Sequence, residues 1–200
     1  MTEIDFDRLQ PLRVAKGSHR KGSGYGCAMN VVSYLNGDAE ITDLPDCSDE
    51  FLARLVQGLN DRLAHERGSD EGEQVVEFWT PFSNGNVVLE WGKCAFVTPH
   101  RVLTPEDAIT VIELGMRTMG TKLIGTDWCN RLEFYRKTLY LNNITPTDSV
   151  GRVLVHLEGL PLDKHISRVR NIIDTFRESA GLDNPEVDAK AIYEKTLIAN

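Results

Sequence analysis

Proline-marked helix starts constrain the fold of this chain more than any other feature of its sequence. Thr104-Pro105, Thr145-Pro146 and Asn184-Pro185 each place a residue that favours the helix N-cap directly before a proline, which favours the first helical position. Apolar residues at helical spacing accompany these starts, and Gly120 and Gly181 supply stops. Helices at this density, joined by short loops, predict a mainly α chain that folds as one helical-bundle-like domain.

Apolar periodicity locates the individual helices. In the first half, one helix is expected over 27–35 and a second from an N-cap at Ser48 to Leu63. In the second half, three helices are expected over 104–120, 126–141 and 150–157. A fourth is expected from 166 to the stop at Gly181, and a fifth after the N-cap at Asn184. The polar pair Asn60-Asp61 is predicted to tether the end of the second helix to a neighbouring loop.

Residues 73–103 do not share the helical periodicity. Asn84-Gly85-Asn86 precedes an apolar run and has the turn chemistry of a hairpin, so a small β-hairpin is expected in this stretch. The single domain, 1–200, therefore divides into four parts. They are a glycine-rich, basic N-terminal segment (1–25), a helical motif region (26–72), the ambiguous stretch (73–103) and a helical second half (104–200).

Composition narrows the class of protein. The chain has 200 residues and a net charge of −8, which argues against general nucleic-acid binding because that needs clustered Lys and Arg. Its start, Met1–Asp5, lacks the basic and apolar regions of a signal peptide, and no apolar run reaches the roughly 20 residues of a membrane span. The expected location is the cytoplasm of a bacterial or phage-infected cell, where the four cysteines would stay reduced.

A basic cluster within the first 21 residues is the candidate ligand-binding segment. Five basic or titratable residues lie within nine positions: Arg13, Lys16, His19, Arg20 and Lys21. One interpretation is a solvated loop, and the other is contact with an anionic partner. The nearby glycines do not form a phosphate-binding loop, because no Gly-Lys-Ser/Thr ending is present and no strand pattern precedes them.

His19, Cys27 and Cys47 are the candidate metal ligands. Histidine and cysteine bind zinc well, although the spacing lacks the close Cys-x-x-Cys pair of zinc fingers. The alternatives are a reversible disulfide and simple packing of two small apolar side chains. A further alternative is thiol catalysis, with Cys27 activated at a helix N-terminus and His19 as its base.

Five short motifs resemble those of a known family. They are Gly17-Ser18-His19, Gly26-Cys27-Ala28-Met29, Ser33–Gly37, Asp43–Cys47 and Asn60-Asp61. Together they resemble a family of small uncharacterised proteins from actinobacteria and bacteriophages, with the pattern Gly-x-His, Cys-x-Met-Glu, Asp-x-Pro-x-Cys and Asn-Asp. The resemblance covers residues 16–62. It implies kinship and a bacterial or phage origin, and no mechanism.

Two positions depart from that family pattern. Asn30 stands where the family has glutamate, and Leu44 stands where it commonly has histidine. If the family uses those side chains as metal ligands or as an acid–base pair, this chain has lost both. The first hypothesis is therefore a non-enzymatic, soluble binding or interaction protein, phage-encoded and acting on a host component.

Two alternatives remain open at this point. One is a metal- or thiol-dependent enzyme that uses His19, Cys27 and Cys47. The other is a sponge or sensor for a small anionic ligand bound by the basic cluster. The expected partner is thus a protein or a small anion, and neither a general nucleic acid nor a membrane.

Overall fold

The computed structural model describes residues 9–17, 19, 22–83, 89–122, 135–138, 142 and 150–197. Within these ranges the helices are α1 (Ala28–Asn36), α2 (Glu50–Arg67), α3 (Pro105–Arg117), α4 (Val150–Glu158), α5 (Leu162–Ser179) and α6 (Ala189–Leu197). The strands are β1 (Arg13–Val14), β2 (Tyr25–Gly26), β3 (Ser69–Ser83) and β4 (Leu89–Val102). Residues 135–138 are also helical.

The prediction of a mainly helical fold is confirmed, but the chain is not a pure helical bundle. Strands β3 and β4 form an antiparallel hairpin whose register runs from Ser69 opposite Val102 to Ser83 opposite Leu89. The expected hairpin is present and is longer than the small one predicted, because its first strand already begins at Ser69. The predicted turn, Asn84-Gly85-Asn86, lies outside the described residues.

The N-terminal strand joins the hairpin at its base. Ala15 bridges Val102 in antiparallel fashion, and Leu103 N donates to Val14 O over 2.9 Å. On its other side, β1 pairs in parallel with β2, with Val14 opposite Gly26. The chain between β1 and β2, residues 15–24, is called the glycine-rich segment from here on. Both of its ends are fixed by backbone pairing.

Helix α1 lies at the centre of the core. All of its residues from Ala28 to Leu35 are buried, and it packs closely on α3, where an added Cβ at Gly115 would lie 3.1 Å from Val32 Cγ2. Helices α2, α4, α5 and α6 complete the core. Its largest fully buried side chains are Phe176, Met29, Leu52, Leu55, Leu59, Leu63, Ile112, Leu114, Leu157, Ile172, Ile173 and Ile192.

Three of the predicted helix starts are wrong in position, and one of them is that of α5, which begins at Leu162 and not at 166. Helix α2 is capped by Asp49, whose Oδ1 accepts from Phe51 N, whereas the hydroxyl of Ser48 bonds to that of Thr118 over 2.8 Å. The carboxylate is better placed to meet the first N–H groups of the helix. Helix α6 begins at Ala189 instead of after Asn184, and its first turn is capped by the carboxylate of Asp188.

Two other predicted helix ends, the cap at Thr104 and the stop at Gly37, are confirmed. Thr104 caps α3 by accepting a hydrogen bond from Asp107 N over 3.2 Å. Helix α1 ends at Gly37, whose φ of 76° is the left-handed conformation that glycine adopts readily. The predicted helix over 126–141 is described only at 135–138, where it is helical, and Thr145-Pro146 lies outside the described residues. Within the described ranges, no helix has both the length and the apolar character needed to cross a membrane.

Candidate functional site: the groove beside the glycine-rich segment

Asn60 and Asp61 anchor the glycine-rich segment to α2. Asn60 is fully buried, and its amide donates to Ala15 O over 2.9 Å while its carbonyl accepts from Ala28 N over 3.2 Å. Asp61 Oδ1 accepts from Gly17 N over 2.8 Å. The predicted tether is therefore present, although it leaves from within α2, which continues to Arg67, and not from the end of the helix.

An open groove of about 450 Å³ lies beside this anchor. Its lining combines basic, acidic and titratable side chains with one glycine: Lys16, Gly58, Asp61, Arg62, His65, Glu66 and Glu158. The guanidinium of Arg62 is already engaged, because it pairs with Glu66 at 2.6 Å and donates to Leu157 O at 3.1 Å. The side chains of Lys16 and Glu158 are exposed and form no ion pair with any described residue.

His19 lies on the glycine-rich segment next to two other aromatic rings. Its Nε2 is 2.9 Å from Lys16 O, and its ring centroid is 5.3 Å from that of His100. His100 stacks on Tyr25, with centroids 3.7 Å apart and an interplanar angle of 9°. Burial lowers the pKa of both histidines, and for His19 the neighbouring His100 lowers the pKa further.

Cys27 is placed where its thiol is chemically inert. It is the N-cap residue of α1 and is fully buried, and burial raises the pKa of its thiol to about 12. Desolvation therefore outweighs the helix N-terminus that was expected to favour the thiolate. The backbone N–H of Cys27 donates to Asn30 Oδ1 over 2.8 Å, so Asn30 serves as the reciprocal cap of α1.

The contacts of Cys47 are with other residues than those of Cys27. Its thiol is 3.7 Å from the hydroxyl of Ser48, and its backbone carbonyl accepts from Lys122 N. Both Cys27 and Cys47 are free thiols in this structure, so the reversible disulfide stays a prediction. Among the described residues, no three His, Cys, Asp or Glu side chains are grouped to hold a metal ion, and the predicted set of His19, Cys27 and Cys47 gains no support.

The basic cluster is only partly brought together. Arg13 pairs with Glu71 of β3 at 3.2 Å, which commits it to the hairpin base. Lys16 lines the groove, and His19 faces His100. Arg20 and Lys21 lie outside the described residues. The predicted segment therefore contributes one described cation, Lys16, to the groove.

Sequence reasoning missed His100 and Glu158. His100 follows an apolar stretch, and nothing in its local sequence predicts its contacts with His19 and Tyr25, which lie 75 or more positions earlier in the chain. Glu158 is an ordinary surface residue by its local pattern, and the groove forms only because α4 packs on α2. Comparison of the chain with protein-family models, with curated proteins and with solved structures found no match.

Proposed function

We propose that this protein is a non-catalytic binding protein that holds a small polar ligand in the groove between the glycine-rich segment and α2. The observation that carries the proposal is the bond from Gly17 N to Asp61, which fixes the backbone beside Lys16 at the rim of the groove. A binding site benefits from such fixation because less conformational entropy is lost when the ligand is bound. The volume of about 450 Å³ falls within the range of small-molecule sites.

The charges of the groove indicate the chemistry of the ligand. Lys16 offers an ammonium group, and Glu158 offers a carboxylate, and neither is engaged by a described residue. Asp61 adds further negative charge, which disfavours a ligand that carries only anionic groups, whereas the charge of Glu66 is balanced by Arg62. We therefore infer a small zwitterionic ligand, with its anionic group near Lys16 and its cationic group near Glu158. This refines the expected small anion.

Binding is favoured over thiol chemistry by the state of Cys27. A thiol with a pKa of about 12 and no exposed surface supplies almost no thiolate at neutral pH. The described thiol beside the glycine-rich segment therefore serves packing at the start of α1. Action on a host component and a phage origin remain predictions.

Thermal unfolding in the presence of small probes tests this proposal. We expect γ-aminobutyrate and other ω-amino acids to raise the unfolding temperature in a concentration-dependent manner, while acetate and methylamine at equal ionic strength do not. Lys16→Ala and Glu158→Gln should each abolish the shift. Lys190→Ala removes a comparably exposed lysine on α6 and should leave the shift intact. Equal shifts in all variants, or none with any amino acid, would overturn the assignment.

A further inference from the structure

We propose that His19 and His100 form a two-histidine binding site for a transition-metal ion, with Cu²⁺ as the divalent ion held most tightly. The site lies at the junction of the glycine-rich segment and the base of the hairpin. It is separate from the ligand proposed for the groove, and neither proposal depends on the other. Its ligand set also differs from the predicted one, because His100 takes the place of both cysteines.

The arrangement of three rings places His19 against the edge of His100. The His19 centroid is 5.3 Å from that of His100 and 6.2 Å from that of Tyr25. If His19 lay above or below the stack, its distances to the two stacked rings would differ by about the 3.7 Å that separates those rings. The two distances are much more alike, so His19 lies beside the stack, at the edge of His100. The edge of an imidazole ring carries its nitrogen lone pairs. Two histidines bound to one ion at about 2.0 Å have centroids roughly 5 Å apart.

Hydrogen bonding leaves one nitrogen of His19 free to bind a metal. The Nε2 atom is 2.9 Å from Lys16 O, and a carbonyl oxygen only accepts, so Nε2 carries the proton. The lone pair of the neutral ring is then on Nδ1. Metal-binding histidines commonly donate their other N–H to a backbone carbonyl, which fixes the tautomer and the ring orientation.

His100 contributes an unsatisfied nitrogen. The residue is 8% exposed, and its buried Nδ1 finds no hydrogen-bond partner among the described residues. Buried polar atoms are nearly always satisfied in folded proteins, so this nitrogen is available to a ligand that reaches it. The stack with Tyr25 holds the ring in place. Burial keeps the pKa of both histidines low, which favours the neutral, metal-binding form at neutral pH.

The choice of ion follows from the number and kind of ligands. No third His, Cys, Asp or Glu completes the group within the described ranges, so water would occupy the other coordination positions. Imidazole ligands bind Cu²⁺ more tightly than the other divalent ions of the first row. The carboxylate of Asp61, whose charge acts on His19, adds an electrostatic attraction for a cation.

Titration with Cu²⁺ tests the site directly. Protein without a histidine tag is first dialysed against EDTA, and binding is then measured by calorimetry at pH 7.4 with glycine as a competitor. We expect one tight site per chain and an electron paramagnetic resonance spectrum with two imidazole nitrogens coupled to the copper. Zn²⁺ should bind the same site more weakly.

Three variants distinguish this site from adventitious surface binding. His19→Gln and His100→Gln should each weaken Cu²⁺ binding by about tenfold or more and reduce the coupled nitrogens from two to one. His156→Gln, which removes an exposed histidine on α4, should change neither result. Wild-type affinity in His19→Gln, or a loss that follows His156→Gln instead, would overturn the proposal. If His100→Gln fails to fold, as judged by circular dichroism, the result for the half-buried His19 decides alone.

Discussion

Asp61 accepts a hydrogen bond from the backbone N–H of Gly17 over 2.8 Å, and this bond holds the glycine-rich segment on α2. Gly17 has a φ of 88°, a left-handed conformation that disfavours other residues. Glycine can adopt this left-handed conformation but does not require it. The hydrogen bond from Gly17 N to Asp61 on α2 therefore helps to hold the backbone in this conformation.

Removing this carboxylate should release the glycine-rich segment. We expect Asp61→Ala to lower the free energy of unfolding by about 1–2 kcal/mol, because a hydrogen bond to a charged acceptor is lost. Asp61→Asn keeps an oxygen acceptor and should cost less. Urea denaturation measures the stability, and hydrogen exchange at Gly17 N should rise in Asp61→Ala more than at amides within α3. Unchanged exchange at Gly17 would contradict the anchor.

Asn60 should matter more for stability than its neighbour. Asn60→Ala leaves Ala15 O and Ala28 N without their side-chain partner in a fully buried place, and we expect a loss of about 2–4 kcal/mol. Arg54→Ala on the same helix removes only an exposed ion pair with Glu50 and should cost about 0.5 kcal/mol or less. Similar losses for the two variants in urea denaturation would count against the role of Asn60.

The thiol of Cys27 should resist alkylation in the native protein. Full burial and a pKa of about 12 keep it protonated and out of reach of iodoacetamide at pH 8, whereas half-buried Cys47 should react faster. Peptide mass spectrometry at successive times gives the rate at each residue. In denaturing guanidinium the two rates should become equal. Rapid labelling of native Cys27 would contradict its placement in the core.

The stability of the protein should fall at mildly acidic pH because of His165. Burial, followed by the charge of Arg62, lowers the pKa of His165 from 6.5 to about 4. The unfolded chain therefore binds a proton that the folded chain excludes, and stability is lost as the pH falls from 6.5 towards 4. The full difference corresponds to roughly 3 kcal/mol at the usual 1.36 kcal/mol per pKa unit.

A neutral replacement at this position provides the control. His165→Asn offers an amide oxygen to Arg62, which donates to His165 Nδ1 over 3.0 Å in the native protein. Denaturation midpoints measured between pH 7 and pH 4.5 should decline less in His165→Asn than in the wild type. The same decline in both proteins would assign the acid sensitivity to other groups.

Local patterns predicted that the described helices exist, but not all of their starts and not the groove. The periodicity of α2 and the Thr104 cap of α3 depend on residues close in sequence, and both are present in the structure. The start of α6 was missed because the carboxylate of Asp188 competes with the proline signal at Asn184 and caps the first turn.

The candidate site depends on contacts between distant parts of the chain. The sequence predicts a tether at Asn60-Asp61 but not its partners. These are the backbone groups of Ala15 and Gly17, which lie more than 40 positions away and which no side-chain pattern marks. The expected activation of Cys27 failed for a related reason. Burial is a property of the assembled core, and its effect on the thiol exceeds that of the helix end.

The pairing of Ala15 with Val102 has a consequence for biosynthesis. On the side of β1 away from β2, the backbone partners of residues 14–16 are residues 101–103, so the first strand leaves the ribosome long before the strand that completes its hydrogen bonds. Contacts between such distant positions carry a large loop-closure cost and form late. The amino-terminal strand is therefore made first but acquires its β4 partner only after the whole hairpin has been synthesised.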